Sequence, residues 1–167
     1  MMAVLSFEIR EKLKRIRLLA LDSDGVLTDG GVYIADDSRE FRRFDIKDGL
    51  GLKQVMQAGI QIAIISSALC EIVRVRAEAL GIKHVYLDTQ DKLACLKRIC
   101  KQLSINLGEV AYMGDDLPDL PVLMAVGLAC APYDAVDAVK SVAAIVTMRA
   151  GGHGAVREVC DEFIKIL

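Results

Sequence analysis

The sequence has no run of basic residues. Its 21 Lys and Arg stand against 23 Asp and Glu, for a net charge of −2, so a nucleic-acid partner is not expected. It has no apolar stretch approaching the length of a membrane span; the longest are strand-sized and interrupted, which argues against a membrane partner. Met1 to Arg17 has no signal-peptide core, and a cytoplasmic location is the expectation. The five cysteines, Cys70, Cys95, Cys100, Cys130 and Cys160, are odd in number, and no pair has CxxC spacing. Disulfide and metal roles are thereby disfavoured, and small buried hydrophobes in a reducing compartment are expected. No internal repeat, linker or low-complexity segment interrupts the chain. What remains is 167 residues, 53% hydrophobic and 26% charged, expected to form a single domain over residues 1–167 with a sizeable core.

The most informative stretch is Leu18 to Gly30, LLALDSDGVLTDG. Leu18 to Leu21 reads as a buried strand of a parallel sheet. It stops at Asp22, and Ser23, Asp24 and Gly25 follow, then Thr28, Asp29 and Gly30. Two carboxylates one residue apart, at the carboxyl end of a buried strand, lie where open α/β sheets place their ligands. They are costly there unless they bind a cation or do chemistry. An isolated DxDG is more often a plain turn, so its meaning depends on what else the chain brings to the same edge.

The pattern predicts a short lead-in helix over Ser6–Arg15 with Ser6 as its N-cap, and a first strand over Arg17–Asp22. Val32–Ala35 and Glu40–Asp45 alternate apolar with polar around a turn-like Asp36-Asp37-Ser38, which predicts a projecting β-hairpin at about residues 31–45. Helices are expected over Asp48–Ala58, Leu69–Leu80, Asp91–Leu103, Leu117–Val126, Asp134–Lys140 and Gly152–Leu167. Strands are expected over Ile60–Ile65, Lys83–Leu87, Val110–Met113, Gly127–Cys130 and Ala143–Val146, with His84 ending its strand as a structural or surface residue. Strands alternating with helices mean an α/β fold: a Rossmann-like three-layer parallel sheet with helices on both faces.

On that topology, polar groups suited to one reaction fall on one edge of the sheet. Asp22 and Asp24 end the first strand, Ser66 and Ser67 end Ile60–Ile65, and Asp115, Asp116 and Asp119 follow Val110–Met113. Lys92 opens a helix. Phosphate-ester hydrolysis needs each of these. Asp22 can attack phosphorus, and Asp24 can protonate the leaving oxygen and later deprotonate water. Asp22, Asp115 and a backbone carbonyl near Asp24 offer the all-oxygen site that Mg²⁺ accepts. Ser66 and Lys92 can hold the phosphoryl oxygens.

Seven segments carry a resemblance: DSDGVLTDGGVY (22–33), FDIKDGLGLK (44–53), IAIISS (62–67), VRVRAEALGIKHVY (73–86), DKLACL (91–96), VAYMGDDLPDLPVL (110–123) and GGHGAVREVCD (151–161). The chain resembles the haloacid dehalogenase superfamily of phosphatases. Within it, the chain is similar to the capless branch that acts on 3-deoxy-D-manno-octulosonate 8-phosphate. The resemblance implies Asp22 as nucleophile, Asp24 as acid and base, and Ser66 with Lys92 as the phosphate-holding pair. It implies Asp22, Asp24 and Asp115 at a Mg²⁺ site, with Asp116 and Asp119 as supporting acids. Arg76 matches a second family arginine, and Thr28, Ser67, Arg76 and His153 are candidates for substrate contact, His153 because the tail in this family lies near the active-site entrance.

Two positions depart from the family pattern. Ser23 stands where Val or Ile is usual. Ser66-Ser67-Ala68 stands where relatives read Thr/Ser-Gly-Arg, so an arginine that helps hold substrate is missing. The intervals from Asp22 to Ser66 and from Ser66 to Lys92 leave no room for a cap domain. The resemblance implies a homotetramer in which hairpins meet and a neighbour covers the site. The substrate expected is a small sugar-acid phosphate, the octulosonate 8-phosphate first. A nine-carbon sialic-acid-type 9-phosphate is the alternative with the same chemistry. A non-catalytic oligomerisation module, like the tail domains of some acylneuraminate cytidylyltransferases, is the alternative without it; the intact carboxylates argue against that one.

Overall fold

The computed structural model describes residues 5–166. The first four residues of the Met1–Arg17 segment and Leu167, the expected end of the last helix, lie outside the described residues. Six strands form one parallel sheet: β1 (Leu18–Leu21), β4 (Gln61–Ile65), β5 (His84–Tyr86), β6 (Val110–Met113), β7 (Leu128–Ala131) and β8 (Ile145–Val146), in the spatial order β5-β4-β1-β6-β7-β8. β2 (Tyr33–Ile34) and β3 (Glu40–Phe41) form the separate antiparallel hairpin. This is the three-layer fold expected.

Successive strand side chains point to opposite faces, and that alternation divides the core in two. Leu19 and Leu21 of β1 face α1 (Phe7–Leu13), α2 (Ile46–Gln57), α3 (Glu71–Leu80) and α7 (Ala155–Ile164). Leu18 and Ala20 face α4 (Lys92–Leu103), α5 (Leu120–Leu123) and α6 (Asp137–Val142). All four β1 residues are fully buried, as a central strand covered on both faces requires. The five cysteines are buried and free. Between β1 and β4 lie only the hairpin and α2, and among the described residues no cap domain is inserted. No described helix is long and apolar enough to cross a membrane.

Several boundaries differ from expectation, each for a local reason. α2 starts two residues early because Asp45, not a residue nearer Asp48, accepts the Lys47 N–H at 2.8 Å. Asp48 is instead buried inside the helix. The Asp134 carboxylate accepts the Gly151 N–H at 2.9 Å rather than capping a helix, so α6 begins at Asp137. The expected Leu117–Val126 helix splits into a 3₁₀ turn, Leu117–Asp119, closed by reciprocal Asp116–Asp119 capping, and the short α5. Residues 151–154 form a turn, and α7 starts only at Ala155. His84 opens β5 rather than ending it. The hairpin pairs over only two residues per arm; beyond Phe41 its return arm leaves β2 and bridges back at Phe44 to Thr28.

Candidate active site

The site is built from three strand ends and one helix start. At the end of β1 the backbone N–H of Asp22 still pairs with the Met113 carbonyl at 2.9 Å. The chain then turns sharply, and the Ser23 carbonyl accepts the N–H groups of Val26, Leu27 and Thr28. Gly25 has φ +80°, and a Cβ there would collide with the Asp115 carboxylate. The loops after β1 and β6 therefore touch at a point that only glycine permits. The buried Thr28 hydroxyl accepts from the N–H groups of Gly25 and Gly30, each at 3.3 Å, and donates to Asp24 Oδ1 at 3.4 Å. Thr28 thus shapes the loop from inside.

At the end of β4, Ser66 is almost fully buried, with its N–H on the Tyr86 carbonyl and its Oγ accepting the Ala68 N–H at 3.2 Å. Ser67 Oγ donates to the Thr89 carbonyl at 3.2 Å. Lys92 is the first residue of α4, held there by Asp91, whose carboxylate accepts the Ala94 N–H. Its buried ammonium lies 2.8 Å from Asp22 Oδ2 and 2.7 Å from Asp119 Oδ1. Asp119 Oδ1 also accepts the Tyr112 hydroxyl at 2.7 Å, and Oδ2 accepts the N–H groups of Asp115 (3.0 Å) and Asp116 (3.4 Å). Asp119 fixes the lysine and the β6 turn at once.

Carboxylate oxygens of Asp22, Asp115 and Asp119 lie within 4.8 Å of one another. Burial first, then the Asp119 charge, push Asp22 up to about 7 despite Lys92. Burial and the Asp22 charge push Asp115 up to about 7 as well. Burial alone would lower Lys92, but Asp22 and Asp119 outweigh it and hold the ammonium above its ordinary value. Such mutual repulsion is what a bound cation relieves. Four donors already occupy Asp119. Asp22 and Asp115 are therefore the carboxylates with capacity for a hard cation, an arrangement that suits Mg²⁺.

An open cleft of about 330 Å³ is lined by Asp22, Asp24, Ser66, Ser67, Lys92, Asp115 and Asp116, with Ala68 at its wall. Thr28, Asp119, Arg76 and His153 do not line it. Asp119 is wholly buried. Arg76 instead holds its guanidinium 5.9 Å above the Phe44 ring and 3.5 Å from the Asp45 carbonyl. His153 is exposed on the 151–154 turn, with Nδ1 3.0 Å from Arg43 Nη1. A larger groove of about 500 Å³ between Lys47 and α7 is lined by charges that pair with each other, such as Arg149 with Glu158 and Arg157 with Asp161.

Two members of the site were not foreseen. Tyr112 is the one hydroxyl in the buried run VAYM, and a buried phenol needs a partner; that signal was available. Arg42 is 18 positions from Asp24 in sequence, yet its Nε lies 3.1 Å from Asp24 Oδ1. Only the course of the hairpin's return arm brings it there, and no local pattern reports that.

A fold of this order, with paired acids after the first strand and a lysine and further acids from later strand ends, defines a class. A family model described as haloacid dehalogenase-like hydrolase matches residues 54–159, and the chain belongs to that family. More particularly, it is 42% identical over 156 residues to the 3-deoxy-D-manno-octulosonate 8-phosphate phosphatase KdsC of Escherichia coli strain K12, covering 93% of this chain and 83% of that protein. The structure of the phosphatase of that name from Moraxella catarrhalis, in complex with magnesium ion, phosphate ion and KDO, superimposes with a TM-score of 0.93 at 40% identity, covering 95% of this chain and 91% of that one. The corresponding Yersinia pestis structure gives 0.95 at 37% identity, covering 97% and 88%.

Proposed function

We propose that this chain is a Mg²⁺-dependent phosphatase that releases a 3-deoxy-2-keto sugar acid from its terminal phosphate, 3-deoxy-D-manno-octulosonate 8-phosphate first, through an aspartyl-phosphate. The observation that carries the reading is the convergence of Asp22, Lys92 and Asp115 in one cleft at the carboxyl edge of the sheet. Identity to relatives of that activity over nearly the whole chain supports it.

In this reading an Asp22 carboxylate oxygen attacks phosphorus. The bond from phosphorus to the sugar oxygen breaks with its electron pair on that oxygen, which takes the proton of Asp24. Asp24, now ionised, accepts a proton from the water that attacks the phosphoryl group, and Asp22 leaves as carboxylate. Lys92 and Ser66 hold phosphoryl oxygens, and Ser67 and Asp116 border the cleft. Asp22, Asp115 and the Asp24 backbone carbonyl would hold Mg²⁺, which when bound neutralises the crowded carboxylates and polarises the phosphoryl group. Arg76 and His153 would reach substrate only through the assembly.

We also read the chain as one domain, cytoplasmic, and assembled as a homotetramer. The hairpin residues Val32, Tyr33, Ile34 and Phe41 are half to two-thirds exposed in the single chain, which suits an intersubunit role. Ala68 keeps the nine-carbon 9-phosphate as a second reading. Phosphate release from a panel of sugar-acid phosphates, with and without Mg²⁺, tests the proposal: the octulosonate 8-phosphate should give the highest kcat/KM, and Asp22→Asn should abolish turnover. No release from any member would end the reading.

A further inference from the structure

Arg42 lies in the hairpin, outside the strand ends that build the cleft, yet its guanidinium is tied into the site. Its side chain is only 6% exposed. Nε lies 3.1 Å from Asp24 Oδ1, Nη2 lies 3.1 Å from Glu40, and Nη1 donates to the Phe41 carbonyl at 3.2 Å. The Thr28–Phe44 bridge fixes the arm that carries it against the β1 loop. Oδ1 of Asp24 is thus held from two sides, by Arg42 and by the Thr28 hydroxyl. Oδ2 makes no hydrogen bond among the described residues, and Asp24 lines the cleft.

We infer that Arg42 is a positioning residue that clamps Asp24 by Oδ1 and leaves Oδ2 directed at the leaving oxygen. The inference rests on the phosphatase reading above and adds the group that aims its proton donor. A carboxyl group with one oxygen pinned loses the rotation about Cβ–Cγ that would otherwise spread Oδ2 over many directions. General acid catalysis is demanding of that direction, because the proton must lie within hydrogen-bond reach of the oxygen as the ester bond breaks. Arg42 touches neither the phosphorus nor the leaving group in this scheme; it acts through Asp24. The guanidinium suits the task because its planar fork can hold Asp24 and Glu40 together, which a lysine point charge does less rigidly.

The test uses a series of esters whose leaving groups differ in their need for a proton: p-nitrophenyl phosphate, phenyl phosphate and a simple alkyl phosphate. A nitrophenolate departs without protonation, whereas an alkoxide does not. Because kcat/KM reports the first irreversible step, it is insensitive to later breakdown of the aspartyl-phosphate. For Arg42→Gln, the ratio of kcat/KM on the alkyl ester to that on p-nitrophenyl phosphate should fall by about ten- to hundred-fold, within the roughly 10²–10⁴-fold that positioned proton transfer contributes. Arg42→Lys should restore part of the ratio. Glu40→Gln, which frees only the other end of the guanidinium, should leave the ratio within about twofold of wild type. In an Asp24→Asn background, Arg42→Gln should change the ratio no further, since the two act as one unit. An active wild type whose Arg42→Gln variant loses the same factor on every ester, or loses nothing, overturns this inference alone. A wild type inert toward every ester overturns the phosphatase reading and this inference with it.

Discussion

Changing Asp119 to asparagine replaces one oxygen by an amide nitrogen, and the surroundings make that a large perturbation. The carboxylate is wholly buried and receives only donors: Lys92 and Tyr112 at Oδ1, and the Asp115 and Asp116 N–H groups at Oδ2. An asparagine can accept on one side only. In either amide orientation its NH₂ faces two donors, so two hydrogen bonds are lost and replaced by repulsion. Hydrogen bonds to charged groups are worth about 1.5–3 kcal/mol each, and the 3.4 Å contact to Asp116 is the weakest of the four. The expected loss is about 3–5 kcal/mol, the range found when one partner of a buried ion pair is removed. Against a total stability of roughly 5–15 kcal/mol, the variant should still fold at 25 °C. Urea unfolding at pH 7, followed by circular dichroism, should show a lower midpoint with an unchanged m-value. A loss below about 1 kcal/mol would refute the claim that Asp119 organises the site by accepting from all four donors.

Removing Mg²⁺ with EDTA should abolish phosphate release and adding it back should restore it, and Asp115→Ala should raise the Mg²⁺ concentration for half-maximal rate at least tenfold, by titration of rate against metal. Ala68→Arg should lower KM for the octulosonate 8-phosphate by about ten- to hundred-fold with little change in kcat, the gain of one charge-assisted contact to the substrate carboxylate; steady-state kinetics showing no change would mean that another group already holds that carboxylate. Asp48, pushed up by burial from 3.8 to about 6, binds its proton more tightly in the folded chain, so its contribution to stability is lost as pH rises from about 4 to 6 and stays lost above. Asp48→Asn keeps the acceptor for the Arg157 N–H, and its advantage over wild type in unfolding free energy from urea titration should grow by up to roughly 3 kcal/mol between pH 4 and pH 7.5; equal differences at both pH values would contradict the burial argument. Light scattering should give a tetramer, and Ile34→Asp with Phe41→Asp should dissociate it; a monomeric, fully active wild type would rule out the hairpin interface.

The strand ends were legible because two physical rules coincide there. A buried apolar run cannot continue through a carboxylate, and parallel strands leave their carboxyl ends on one edge. Asp22, Ser66 and Asp115 are therefore readable in place, as is Lys92 at a helix start. Thr28 was legible as part of the motif, but its place in the structure is inside the loop, because a hydroxyl can serve two backbone N–H groups and a carboxylate together. Asp45, Asp48 and Asp134 show the limit of capping signals. Each is an acid near a helix start, and tertiary contacts decide which one caps; Asp48 serves the N–H of Arg157 in another helix. The alternation in the hairpin predicted strands, yet both arms are exposed in the single chain, since alternation sets the strand period and does not fix which face, if any, this chain buries. Arg42 was invisible because its partner is reached only through that hairpin's course.

The 151–152 turn has a consequence for synthesis. A Cβ at Gly151 would strike the Gly25 carbonyl oxygen, and the Gly152 N–H donates to the Val26 carbonyl at 3.0 Å. The loop bearing Asp24 thus rests on residues from the far end of the chain. On the ribosome, Asp22 and Asp24 emerge early, before the strands that flank β1 and long before the turn on which their loop is seated. Contacts so distant in sequence form late in folding. A nascent chain carrying every acid of the cleft would still lack a seated loop, and hydrolytic competence would arrive only when the last helix docks.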